Sequence, residues 1–300
     1  MYISDETKAM LLFCTRLGLK NHEKLFSPNE WQILTQKLSK KGMSCGMLPL
    51  FDGYDMRQAE LSASEIERIV RLREGRNLSY ILQAYEQQID LHIIGQCDRH
   101  YPTAFREQLK TKAPVLLYAV GNMELLIHYE DKIAMVGRRR CHIRTPEICA
   151  ALVETFSSPH SCFISGGAKG VDQLTQQSVS DRNGNIIIIL PHGLNKEAVE
   201  NIAGRQKGKY LLLSAEEPNA EFQAYRALRR NTLIYALSQR AIVVEAGAGS
   251  GGTWRGAKDA IQNHWTDVLV WNEPDYEGNQ RLCRMGAEPI YYPDIIPIKE

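Results

Sequence analysis

No apolar run in the chain approaches the roughly eighteen residues of a membrane span, and the opening "MYISDETKAM" lacks the basic-then-apolar pattern of a signal peptide. No membrane partner is therefore expected, and a cytoplasmic protein is. The seven cysteines are an odd number without a C-x-x-C pair, and no His-x-x-x-His motif accompanies them. This argues for reduced thiols and against a zinc site, so no metal is expected. Cys141 is the one thiol that stands beside three arginines, whose charge lowers a thiol's pKa, but no base is visible near it and an idle thiol is expected. The G-x-x-x-x-G-K-[ST] loop of nucleotide hydrolases is missing. A dinucleotide-binding turn is not read from the sequence either, and no cofactor is expected.

An excess of either charge is also missing, since 36 basic side chains face 35 acidic ones. The balance hides an asymmetry. Residues 131–260 carry a net charge of +5 and residues 261–300 one of −4. The basic middle suits an anionic partner.

What is present divides near residue 90. The first ninety residues read as helical: Ser27-Pro28-Asn29-Glu30 and Ser62 to Glu65 are capping boxes ahead of apolar residues at helical spacing, and Leu78 to Tyr85 is a short amphipathic helix. Beyond Gly95, seven short apolar runs (115–120, 132–136, 162–165, 185–190, 210–214, 241–246 and 267–271) alternate with helix-like stretches. Such runs, apolar without alternation, fit strands covered on both faces. The expectation is a small helical domain over 1–90 and, over 91–300, a Rossmann-like α/β domain with an open, mainly parallel sheet and helices on both faces.

Ligands of such sheets sit at the carboxyl ends of the strands, where this chain puts glycines and bases. Gly137, Arg138, Arg139 and Arg140 end one strand; Ser165, Gly166, Gly167, Lys169 and Gly170 end the next; Ser250, Gly251, Gly252 and Thr253 follow a third, in the run that begins at Gly247. Gly166 is expected to need a positive φ. The tip arginines cannot be buried unpaired, so they meet solvent, carboxylates or a bound anion. Arg229, Arg230 and Asn231 read as the start of a helix, where cations are poorly placed unless an anion is bound. Leu228, Leu233, Ile234 and Leu237 supply that helix's sheet-facing side. Tyr225, Tyr235 and Trp254 are candidates for base stacking. These residues form the candidate DNA- or phosphate-binding set, and no catalytic residue is assigned.

Together the motifs resemble the DNA-processing protein A (DprA, or Smf) family, whose members show Val-Gly-Ser-Arg, Ser-Gly-x-Ala-x-Gly-Ile-Asp, Arg-Asn, and Val-Glu-Ala followed by Ser-Gly. Here these read Val136 to Arg139, Ser165 to Asp172, Arg230-Asn231, and Val244 to Ala246 with Ser250-Gly251. Tyr101-Pro102, Gly121-Asn122 and residues 278–287 match as well. The resemblance implies a non-enzymatic protein that binds single-stranded DNA, commonly as a homodimer, and hands it to a RecA-type recombinase; Arg139 and Lys169 match the family's DNA-contacting arginine and pocket lysine. Arg138 replaces the usual serine and Thr232 a usual arginine. A divergent member without the C-terminal winged-helix domain is expected. Two other readings stay open: a sensor of a nucleotide or nucleotide-derived signal, for example in phage defence, and a LOG-type nucleotide phosphoribohydrolase. For the hydrolase, the Gly251-Gly252-Thr253 loop is followed by Arg255 roughly where a catalytic glutamate belongs.

Overall fold

The computed structural model describes residues 3–19, 23–129 and 131–291. The last residues of the expected second domain, 292–300, lie outside them. Among the described residues, the first ninety form five α-helices, α1 (Asp5–Cys14), α2 (Pro28–Lys40), α3 (Gly53–Gln58), α4 (Ala63–Arg73) and α5 (Leu78–Glu86), with a 3-10 turn at Cys45–Leu50. Both expected capping boxes are present, Ser27 with Glu30 and Ser62 with Glu65.

The rest is an open nine-stranded sheet: β1 (His92–Gly95), β2 (Leu116–Gly121), β3 (Asp131–Gly137), β4 (Ser161–Ser165), β5 (Ile186–Leu190), β6 (Tyr210–Ser214), β7 (Arg240–Glu245), β8 (Asp267–Trp271) and β9 (Glu288–Ile290), in the order β1-β2-β6-β5-β4-β3-β7-β8-β9. The pairs β1–β2 and β2–β6 are antiparallel and all others are parallel. The seven expected strands are all there. The two additional ones are the edge strands, of four and three residues. Their apolar signal is too short to read, and Pro289 in β9 is tolerated because an edge strand has a side that needs no donor.

Seven helices complete the domain: α6 (Thr103–Leu109), α7 (Thr145–Phe156), α8 (Val171–Asp181), α9 (Lys196–Ala203), α10 (Ala224–Leu237), α11 (Gly251–Asn263) and α12 (Glu277–Cys283). Side chains alternate across a strand, so each strand serves two cores. Ile133 and Met135 of β3 join Ile242 and Val244 of β7 under α7 and α8, in a core that continues into α1, α2 and α4. Ala134 and Val136 join Ala241 and Val243 on the opposite face, under α6, α10, α11 and α12. The sheet is thus an α/β sandwich with helices on both faces. The helical segment shares the first of these cores.

From β3 the chain runs through β4, β5 and β6 on one side, then crosses to β7, β8 and β9 on the other. The connections leaving the carboxyl ends of β3 and β7 therefore diverge, which leaves a crevice between them.

Candidate nucleic-acid interface

A cleft of about 650 Å³ opens at this switch point. Four segments line it: Val136 to Arg140 at the end of β3, Ala168 and Asp172 at the start of α8, Phe222 with the flank of α10 from Ala224 to Tyr235, and Gly247 and Ser250 to Thr253 after β7. Hydrogen bonds brace the walls. Thr253 donates from Oγ1 to the Gly137 carbonyl at 2.9 Å, and Asn231 donates from Nδ2 to the Gly252 carbonyl at 3.3 Å. Two helix N-termini face the opening, at Ala224 of α10 and Gly251 of α11. Neither Gln223 nor Ser250, the residues in the capping positions, makes a side-chain cap bond. The first-turn amides of two helices are consequently left for an outside acceptor, the usual arrangement of an anion site.

The arginines at the tip of β3 divide the tasks. All three are exposed. Arg138 lies 3.3 Å from Glu245, whose carboxylate also accepts from the His142 amide at 3.1 Å and the Thr145 hydroxyl at 3.3 Å. Glu245 is thereby occupied in fixing the loop. Arg139 and Arg140 have no carboxylate within 4.0 Å among the described residues, and both line the cleft. The loop's path requires Gly170, which stands at φ +80 with its Cα turned toward the Arg138 carbonyl; a Cβ there would lie 2.3 Å from that oxygen.

Arg230 is 7 % exposed and stands over Asp172, Nη1 to Oδ2 3.6 Å. Burial pushes the Asp172 carboxyl up and the Arg230 guanidinium down, and each partner's charge opposes the shift. Asp172 also accepts the Ala168 amide at 3.1 Å. Arg230 Nε has no partner although it is buried at the cleft wall. This pair explains Gly166: its φ is not positive, contrary to expectation, and the constraint is space, since a Cβ would fall 1.3 Å from Arg230 Nη1.

The remaining expected residues are placed elsewhere. Ser165 is buried, donating to the Asp172 carbonyl at 3.2 Å and accepting from Gln176. Gly167 packs toward Leu190. Lys169 is exposed on the adjoining turn, outside the cleft lining. Arg229 lies 3.9 Å from Glu216, which Arg226 approaches to 3.0 Å, and both arginines line a different cavity. Because α10 begins at Ala224, Arg229 and Arg230 are beyond its first turn and its dipole does not bear on them. Leu228 is not on the sheet-facing side; it is 41 % exposed at the cleft, while Leu233, Ile234 and Leu237 are buried as expected. Tyr235 is buried with an unpartnered hydroxyl, Trp254 is half-buried and Tyr225 is exposed. Phe222, 53 % exposed in the cleft wall, was legible only as an isolated aromatic in a polar stretch. The Cys141 thiol is pushed up by burial and by Glu245, so the arginines do not activate it.

Gly247, Gly249 and Gly252 do carry G-x-G-x-x-G spacing after a strand, contrary to the sequence reading. A dinucleotide fingerprint belongs to the first βα turn of such a sheet. That turn follows β3 here and carries the three arginines instead. No group of three or more metal-ligating side chains occurs among the described residues, and none of their helices is long and apolar enough to cross a membrane.

DNA processing protein DprA of Streptococcus pneumoniae is 27% identical over 188 residues, 59% of this chain and 65% of that protein. DprA of Bacillus subtilis is 26% identical over 220 residues, 71% of this chain and 72% of that protein. The match thus spans just under two thirds of the pneumococcal relative. Among solved structures, DNA processing protein A of Helicobacter pylori, described for its single-stranded DNA binding mode, has a TM-score of 0.57 at 26% identity, covering 67% of this chain and 91% of that one. The pneumococcal structure has a TM-score of 0.61 at 22% identity, covering 88% and 95%, and supports the fold. The model of the family described as DNA recombination-mediator protein A matches residues 92–297, more than half of the sequence, and the chain belongs to that family.

Proposed function

We propose that the protein binds single-stranded DNA in the switch-point cleft and acts in DNA processing for recombination. The observation that carries this reading is the convergence, on one open cleft, of two exposed arginines with no carboxylate within 4.0 Å among the described residues and two helix N-termini without a side-chain cap. Asp172 is the single carboxylate in the cleft lining and Arg230 occupies it, so the cleft faces a ligand with a surplus of positive charge. Phosphates would meet Arg139, Arg140 and the amides of α10 and α11, with Arg138 and Lys169 at the rim. Phe222 and Leu228 offer an apolar ledge to a base, and stacking tolerates any base because each has a π-face. Binding by this set is sequence-independent and salt-dependent. Passage of the strand to a RecA-type recombinase, a homodimeric assembly and a cytoplasmic setting belong to the same proposal, on the strength of family membership.

A nucleotide sensor would use the same amides and differ in ligand length. A hydrolase would need an unengaged carboxylate to stabilise an oxocarbenium-like centre, and no residue of the lining supplies one. Titration with a mononucleotide and with oligonucleotides of increasing length, at two salt concentrations, tests the proposal. Affinity should grow with length and fall steeply with salt; equal affinity for the mononucleotide and the long strand would favour the sensor instead.

A further inference from the structure

Arg139 borders two cavities. Besides the cleft it lines a second pocket of about 430 Å³, between the loop after β3, the first turns of α8 and the turn after α9. That volume lies in the usual range of small-ligand sites, about 300 to 1,000 Å³. Regular structure builds its walls. Gln173, Gln176 and Gln177 stand three and four residues apart and so share one face of α8. Arg205 and Gln206 add a further wall, and Ser180 ties their turn to the end of α8: its hydroxyl donates to the Arg205 carbonyl at 2.9 Å and accepts the Lys207 amide at 3.1 Å.

The lining holds two guanidiniums and no acid. Arg205, exposed like Arg139, has no carboxylate within 4.0 Å among the described residues. The pocket therefore suits an anion.

The glutamines supply hydrogen-bonding capacity of one kind. Gln177 donates from Nε2 to Asp181 Oδ1 at 2.9 Å, and Gln176 donates from Nε2 to Ser165 Oγ at 3.2 Å. A carboxylate only accepts, and the Ser165 hydroxyl gives its own proton to the Asp172 carbonyl. Both contacts consequently demand the amide nitrogen, which settles the orientation of each amide. Neither oxygen receives a donor among the described residues. Gln206 Oε1 is buried without a partner as well. Three amide oxygens are thus left for the N–H groups of a ligand.

We propose that this pocket is a second nucleotide subsite, in which a strand held in the switch-point cleft crosses Arg139 and places an adjoining nucleotide, its phosphate on Arg139 and Arg205 and its base edge on the glutamine oxygens. The inference rests on the reading of the cleft as the place where the strand is held. A base with an exocyclic amino group brings two N–H donors to such oxygens. Thymine and uracil bring one ring N–H flanked by two carbonyl oxygens, which would face the amide oxygens as acceptor against acceptor. The cleft tolerates any base, and the pocket adds a preference for amino bases.

The test uses the full-length protein and two labelled homo-oligomers of about 16 nucleotides, the upper end of a single-strand site, one of deoxycytidine and one of deoxyuridine. These differ at position 4 of the ring, amino against keto with its N3 proton, and neither carries a methyl group. The wild type should bind the cytidine strand about three- to tenfold more tightly, the size of one net hydrogen bond. The double variant Gln177→Leu, Gln206→Leu should lose that preference and keep the affinity for the uridine strand. Arg205→Ala should weaken both strands and reduce the log–log salt slope by about 0.7. Equal affinities in the wild type, a preference that survives the glutamine substitutions, or an Arg205→Ala variant that binds like the parent would each overturn the subsite and leave the cleft reading standing, since both strands still bind. Failure of both strands to bind would overturn the cleft reading and the subsite with it.

Discussion

Arg230 shows what the sequence conceals at the scale of a residue. In "RALRRN" it is indistinguishable from Arg229, and the two were expected to share one role. Folding buries Arg230 over Asp172 and leaves Arg229 beside Glu216 near a separate cavity. The distinction depends on Asp172, which belongs to another strand–helix unit, so no local pattern in α10 announces it. The pair also makes Gly166 predictable. Gly166→Ala should force the guanidinium off the carboxylate and destabilise the fold by about 3 kcal/mol, the lower range for breaking a buried ion pair. Thermal unfolding measures it, and an unchanged midpoint would show that Arg230 has room to move aside. Arg139→Ala, in contrast, removes an exposed side chain and should leave stability within about 0.5 kcal/mol.

At the scale of elements, the glycine-rich connections were legible because strand ends, turns and bases coincide there. Seven runs without alternation announced strands covered on both faces, and both cores confirm this. Less legible was what holds the connection after β7 in place. Asn279 of α12 is fully buried; its Oδ1 accepts the Ala246 amide at 2.8 Å, and its Nδ2 donates to the Val244 and Trp271 carbonyls at 2.9 and 2.6 Å. One amide side chain thus ties α12, β7 and β8 together directly beneath the run that lines the cleft. Sequence matching marked residues 278–287 without assigning them a purpose, since an asparagine in a short helix reads as solvated. Asn279→Ala leaves a buried donor and buried acceptors unpaired and should cost about 1 to 3 kcal/mol. Measured by denaturant unfolding, a variant as stable as the parent would mean that water or a shifted α12 replaces the bonds.

For the whole molecule, the order of strands turns scattered motifs into one place. Gly137 to Arg140 and Ser250 to Thr253 are far apart in the chain and adjacent in space because β3 and β7 pair across the switch point. The class of fold and the side of the sheet that holds the site could be read before any coordinates, while the distribution of acids among the arginines could not. Glu245, Asp172 and Glu216 each take a cation that the sequence left free, and in the cleft lining Arg139 and Arg140 are what remains for a ligand. The division near residue 90 stays a proposal resting on the change from helix to strand, as the core runs across it.

The most direct test is the salt dependence of single-stranded DNA affinity in the parent and in the double variant Arg139→Ala, Arg140→Ala. Single-stranded phosphates give a log–log slope of about 0.7 per neutralised charge, so the variant should bind more weakly at low salt with a slope reduced by about 1.4. An unchanged slope and affinity would contradict the assignment of the switch-point cleft as the place where the strand is held.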